Sequence, residues 1–152
     1  RLRRGETGDR SVSAPVDAVV AFYEGLSPDS LGGLRTLYAR GARFRDPFND
    51  VVGHEAIERI FRHMFDNLES PAFRVTGRIE QGTRAALEWR FSFVLRARAF
   101  EIVGASVLDF DEDGRIRVHR DYWDVAEELY AKLPGLGPVV RWLGRRMSAT
   151  AI

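Results

Sequence analysis

The chain has 152 residues, of which 45% are hydrophobic and 30% charged, so it fits one folded domain and excludes a disordered chain. It holds no cysteine, which rules out disulfides, thiolate nucleophiles and cysteine-bound zinc or iron–sulfur sites. The net charge is +1, with basic ends around a middle segment, residues 11–131, that carries fifteen arginines against twenty acids, so no broad nucleic-acid-binding face is expected.

No internal repeat is present, and no apolar run approaches the length of a membrane span, which leads us to expect a soluble, cytoplasmic protein. Residues 1–13 read as a flexible polar tail. Ser13 and Pro15 then open a first helix carrying Val16, Val19, Val20 and Tyr23 at helical spacing up to Gly25. Ser27-Pro28 starts a shorter one, with Leu31, Leu34, Leu37 and Tyr38 on one face and Gly32-Gly33 weakening it. A brief strand at 42–46 stops at Pro47. The clearest helix runs from Gly53 to Leu68, because Ile57, Ile60, Phe61, Met64, Phe65 and Leu68 form one continuous stripe.

From residue 72 the period switches to two. Leu87, Trp89, Phe91, Phe93 and Leu95 alternate with Arg90 and Ser92 in a long strand. A second strand spans about 99–110, and Asp111-Glu112-Asp113-Gly114 turns the chain into a third at 115–123, giving an antiparallel meander. Short helices are expected at 124–133 and 138–147. The order is α-α-β-α-β-β-β-β-α, an α+β layout with helices on one face of a curved sheet.

These residues carry a resemblance. The order of elements, Tyr38-Ala39-Arg40 leading to Asp46-Pro47, Gly53-His54-Glu55-Ala56-Ile57 at a helix start, and the run His119-Arg120-Asp121-Tyr122-Trp123-Asp124 are similar to the nuclear-transport-factor-2-like superfamily, which includes ketosteroid isomerases, SnoaL-like cyclases and limonene epoxide hydrolases. The resemblance covers residues 14–133, the expected SnoaL-like domain, with 134–152 as a basic amphipathic extension. It implies a cone-shaped α+β roll, a curved antiparallel sheet wrapped around the N-terminal helices. By likeness to the isomerases, Asp46 stands at the base position, Tyr23 near an oxyanion donor, and Ser106 where those enzymes have a second donor. By likeness to the epoxide hydrolases, Arg90 and Asp121 stand at catalytic positions and Ser92 where a second acid is found.

Strand alternation places His119, Asp121 and Trp123 on one face. If the strands pair as the resemblance implies, Arg90 and Asp121 converge inside the cone with Ser92 beside them, either as a poised carboxylate base or as a buried structural ion pair. His119 is an acid/base partner or a hydrogen-bonded pocket wall; Asp46 is a base or a turn former; Tyr23 is a donor or a core residue; Ser106 and Trp123 are substrate contacts. His54, His63 and His119 form no HxH or HxxxH pair, and Gly32-Gly33 lacks the setting of a phosphate loop, so neither metal nor cofactor is expected. With Arg90 inward, the ladder Leu87, Trp89, Phe91 and Phe93 faces out and calls for a homodimer through the outer sheet face. Residues 133–147 join Leu133, Leu136, Val139, Val140, Trp142 and Leu143 to three arginines, as a lid over the cone or a helix making weak contact with an anionic membrane. Three functions stay open: an enzyme using carboxylate acid/base chemistry on an apolar substrate (epoxide hydrolysis, or isomerisation or cyclisation of an enolisable carbonyl), a non-catalytic binder of a lipid- or polyketide-like ligand, and a structural or adaptor dimer.

Overall fold

The computed structural model describes residues 13–147; the expected tail lies outside the described residues except for Ser13, as does the extension beyond residue 147. Helix α1 spans Ser13–Glu24 and buries Val16, Val19 and Tyr23. Ser27 and Ser30 then cap one another reciprocally, Ser30 N–H donating to Ser27 Oγ at 3.2 Å and Ser27 N–H to Ser30 Oγ at 2.9 Å, and fix a 3-10 turn over Pro28–Gly33. A four-residue helix α2 (Leu34–Leu37) follows directly. The expected helical stripe therefore ends early: Tyr38 is the first residue of strand β1 (Tyr38–Arg45), not the last turn of a helix.

After a tight turn comes a three-residue strand β2 (Asp50–Val52), too short to carry a periodic signal. Helix α3 (His54–Asn67) starts at Gly53, whose φ of 94° is open to glycine and strained for any other residue. Ile57 and Phe61 are its most buried side chains. Strands β3 (Glu69–Gln81), β4 (Arg84–Leu95), β5 (Arg98–Phe110) and β6 (Ile116–Tyr122) complete the sheet. A short helix α4 (Val125–Glu128), a 3-10 turn Tyr130–Lys132 and helix α5 (Leu136–Met147) close the described chain.

The sheet is curved and unclosed, in the order β2-β1-β6-β5-β4-β3. The meander is antiparallel as expected, but β1 runs parallel to β6, so the sheet is mixed. That one parallel pair matters for the site, because it sets Phe44 beside His119 and brings Tyr38 into the same layer. Helices α1 and α3 fill the concave side: Arg78 on β3 pairs with Asp17 on α1, and Glu24 Oε1 accepts the Val75 N–H at 2.9 Å. Two apolar clusters result. One joins Val16, Leu31, Leu34, Ile57, Leu108 and Ile116 under the helices; the other joins Trp89, Phe93, Phe100 and Ile102, packed by Leu129 and Leu133. Each fully buried aliphatic side chain contributes roughly 1.5–3 kcal/mol.

The β4 alternation holds, but its direction is reversed from expectation. Ala85, Leu87, Trp89 and Phe93 are buried, while Arg84, Glu88, Arg90 and Ser92 face solvent. The aromatic ladder is the inner wall of the cone, covered by the chain's own helices and by residues 129–133, so it gives no reason for a second copy to cover it. Among the described residues no helix is long and apolar enough to cross a membrane.

Candidate functional site

The concave face opens into a cavity of about 310 Å³ lined by Phe44, Phe73, Trp89, Phe91, Trp123 and Leu129, with Asp121 among the walls. A narrow inner chamber of about 30 Å³ shares Phe61, Phe73, Trp89 and Asp121 with it and adds Tyr23, Ser106 and His119. Beside the mouth, a shallow groove of about 550 Å³ lined by Arg45, Arg120 and Asp124 also reaches Asp121 and Trp123. The site is an aromatic box with a polar end.

A single hydrogen-bond network makes up that end. The Tyr23 and Tyr38 hydroxyls lie 2.5 Å apart, Tyr38 Oη is 2.6 Å from His119 Nδ1, and His119 Nε2 is 2.7 Å from Asp121 Oδ1. From the other side, Trp89 Nε1–H donates to Ser106 Oγ at 2.8 Å, and the Ser106 hydroxyl donates to Asp121 Oδ1 at 2.5 Å. One proton assignment satisfies every contact with a neutral imidazole: Tyr23 donates to Tyr38, Tyr38 to His119 Nδ1, and His119 Nε2–H to Asp121. Both arms end on Asp121 Oδ1, while Oδ2 makes no hydrogen bond among the described residues. His119 is 3% exposed and lies 4.7 Å, ring to ring, from Phe44, so the network sits in apolar surroundings. Burial above all pushes both phenols to pKa values well above normal, the nearby Asp121 charge adding to the effect, and keeps them protonated donors.

The strands set this geometry. Ser106 and Asp121 are direct cross-strand partners on β5 and β6, and His119 precedes Asp121 by two residues on the same face. Trp89 stands opposite Gly104, whose missing side chain leaves the room for the indole to reach Ser106.

The eight residues singled out in the sequence separate here. Tyr23, Ser106, His119 and Asp121 are brought together, and Trp123 lines the cavity with its ring 5.6 Å from Phe48. Arg90 does not converge on Asp121: it lies on the outer face and pairs with Glu101 at 2.5 Å, half exposed. Ser92 shares that outer face. The reason is the packing described above, which turns the apolar side of β4 inward and leaves its polar side to water. Asp46 lies at the cavity edge, but its carboxylate is taken up by its own turn, Oδ1 accepting the Phe48 and Asn49 N–H groups at 2.7 Å each and Oδ2 the Asn49 side-chain amide at 2.9 Å.

Two members of the network escaped the sequence reading. Tyr38 read as part of a helical stripe, and Trp89 as part of an outward ladder. The signal for both is chemical: a buried Tyr or Trp needs a partner for its O–H or N–H, so one within an apolar face points to a polar group across the core. Among the described residues no three His, Asp or Glu side chains converge as a metal site.

A model of the SnoaL-like domain matches residues 19–119. The chain belongs to the SnoaL-like family. No curated protein matches it. Similar solved structures carry this SnoaL-like fold at low identity. A protein from Catenulispora acidiphila DSM 44928 with a ketosteroid isomerase-like fold, in complex with trimethylamine, is 20% identical with a TM-score of 0.66, covering 78% of this chain and 91% of its own. An LEH-like epoxide hydrolase from M. tuberculosis is 19% identical with a TM-score of 0.68, covering 86% and 97%. TerC, co-crystallised with polyporic acid, is 18% identical with a TM-score of 0.67, covering 76% and 95%. These likenesses establish the nuclear-transport-factor-2-like fold of this SnoaL-like domain, and its chemistry must be argued from its own residues.

Proposed function

We propose that this SnoaL-like domain is an enzyme that binds an apolar small molecule in the aromatic cavity and moves a proton on an enolisable carbonyl, isomerising or cyclising it, with Asp121 as general base. The observation that carries this reading is the state of Asp121: Oδ1 holds two donors, Oδ2 holds none among the described residues, and the carboxylate lines the cavity. A carboxylate oriented by one oxygen and open at the other, at the polar end of an aromatic box, is arranged to take a proton from a bound carbon acid.

In that reaction Oδ2 takes the proton from the carbon beside the carbonyl, the C–H electron pair forms the enolate double bond, and negative charge collects on oxygen. Tyr23 lines the same inner chamber, and its hydroxyl is the outer end of the relay. Rotating from Tyr38 to the enolate oxygen, it supplies the hydrogen bond that the developing charge requires. Asp121 then returns the proton to another carbon, or to the alkoxide formed when the enolate carbon closes a ring. Tyr38 and His119 position the two working groups. Trp123, at the mouth, contacts the ligand.

Hydrolysis of an epoxide by the same base is less well supported, since Arg90 and Ser92 lie on the outer face and no arginine in the network orients Asp121. Small-molecule ligands in solved structures of this fold, polyporic acid and trimethylamine among them, fit either an enzyme or a carrier.

The test is a panel of enolisable ketones in deuterated water and apolar epoxides in heavy-oxygen water, read by mass spectrometry. Wild-type protein should exchange or isomerise a ketone, and Asp121→Asn should lose at least about a hundredfold in rate while keeping ligand affinity. Labelled diol instead of exchanged ketone would transfer Asp121 to hydrolysis. Ligand binding with no turnover by the wild type would make the domain a carrier.

A further inference from the structure

Among the described residues, helix α5 leaves more large apolar side chains in water than any other element. Leu136, Val139, Val140, Leu143 and Met147 recur at the spacing of a single helical face, yet Leu136 is 51% exposed, Val139 53%, Leu143 48% and Met147 86%. The helix packs against the turn Tyr130–Lys132, and Arg141 Nη1 donates to Ala131 O at 2.8 Å. No α5 residue lines the cavity, so the expected lid does not form; Leu129 and Leu133 cover the aromatic cluster instead.

The rest of the helix is as one-sided in charge as its stripe is in hydropathy. Arg141 and Arg145 lie away from the stripe, and Arg146 sits at its border with its guanidinium 4.8 Å from the Trp142 ring centre. Residues 133–147 contain no acid. A second copy seated on the stripe would cover only the apolar side and leave the arginines in water, whereas an anionic bilayer meets both: acyl chains take the stripe, headgroups take Arg145 and Arg146, and a tryptophan beside the stripe suits the interface. We infer that α5 docks this domain on an anionic membrane surface. Leu129 borders the cavity just before the turn that carries α5, so docking holds the mouth near the bilayer, the phase in which an apolar ligand concentrates. The membrane contact itself stands without the proposed chemistry.

Vesicle flotation of the full chain tests this, using phosphatidylcholine alone and an equal mixture with phosphatidylglycerol. The protein should float with the mixed vesicles and stay behind with the neutral ones, and high salt should release it. Arg145→Glu, a change of two charge units worth roughly fivefold each, should lower partitioning roughly twenty-five-fold. Leu143→Glu, at an exposed position, should abolish flotation while leaving the thermal melt unchanged. Background recovery with both vesicle types, or flotation unaffected by Leu143→Glu, would overturn the inference. A dimeric mass in light scattering that Leu143→Glu returns to monomer, with no flotation, would also overturn it and assign the stripe to a second copy.

Discussion

Trp89 and Gly104 face one another across β4 and β5, and a Cβ at Gly104 would lie 2.5 Å from the indole. The glycine is therefore what lets Trp89 lie where its Nε1–H meets Ser106 and, through it, Asp121. Gly104→Ala should displace the ring and destabilise the fold by about 1–3 kcal/mol through overpacking. A lower melting temperature with altered tryptophan fluorescence would record it, and an unchanged melt would show that the indole moves at no cost.

Tyr23 and Tyr38 should resist ionisation in the folded protein. Tyr122 and Tyr130 are exposed, whereas Tyr23 and Tyr38 are buried with their pKa values raised, chiefly by burial. A group whose folded pKa lies above its unfolded value, about 10 for a phenol, stabilises the fold fully below that pH and loses the contribution as pH climbs past it. Absorbance at the tyrosinate band should show Tyr23 and Tyr38 ionising only as the chain unfolds in strong base. Ionisation of either one in the folded protein near the ordinary phenol pKa would contradict the buried network.

Arg90→Ala should be nearly silent. The side chain is half exposed and its Glu101 pair lies on the solvent face, so the loss should stay within about 0.5 kcal/mol and activity should hold. A collapse of turnover with an intact melt would place Arg90 in the chemistry after all.

Asp46→Ala separates a turn from a base. Removing the acceptor of the Phe48 and Asn49 N–H groups should cost about 1–2 kcal/mol of stability and shift KM, since Phe48 and Asn49 border the cavity, while the pH profile of kcat keeps its shape. Loss of turnover without loss of stability would instead make Asp46 the base.

The sequence by itself determined the elements and their alternation. The stripe from Ile57 to Leu68 required a helix, Asp111 to Gly114 required a turn, and the two-residue period put His119 and Asp121 on one face and Arg90 opposite Trp89. Those are local facts, fixed by helical and strand repeats. Only the tertiary structure decided which face of β4 is inside, because alternation separates two faces without saying which one α1, α3 and residues 129–133 will cover. It likewise decided that Tyr38, 81 residues before His119, meets its imidazole, since that contact depends on the parallel pairing of β1 with β6. A parallel pair between strands so far apart leaves no mark in either strand's own pattern, so the meeting of Tyr38 with His119 was fixed by packing and not by spacing.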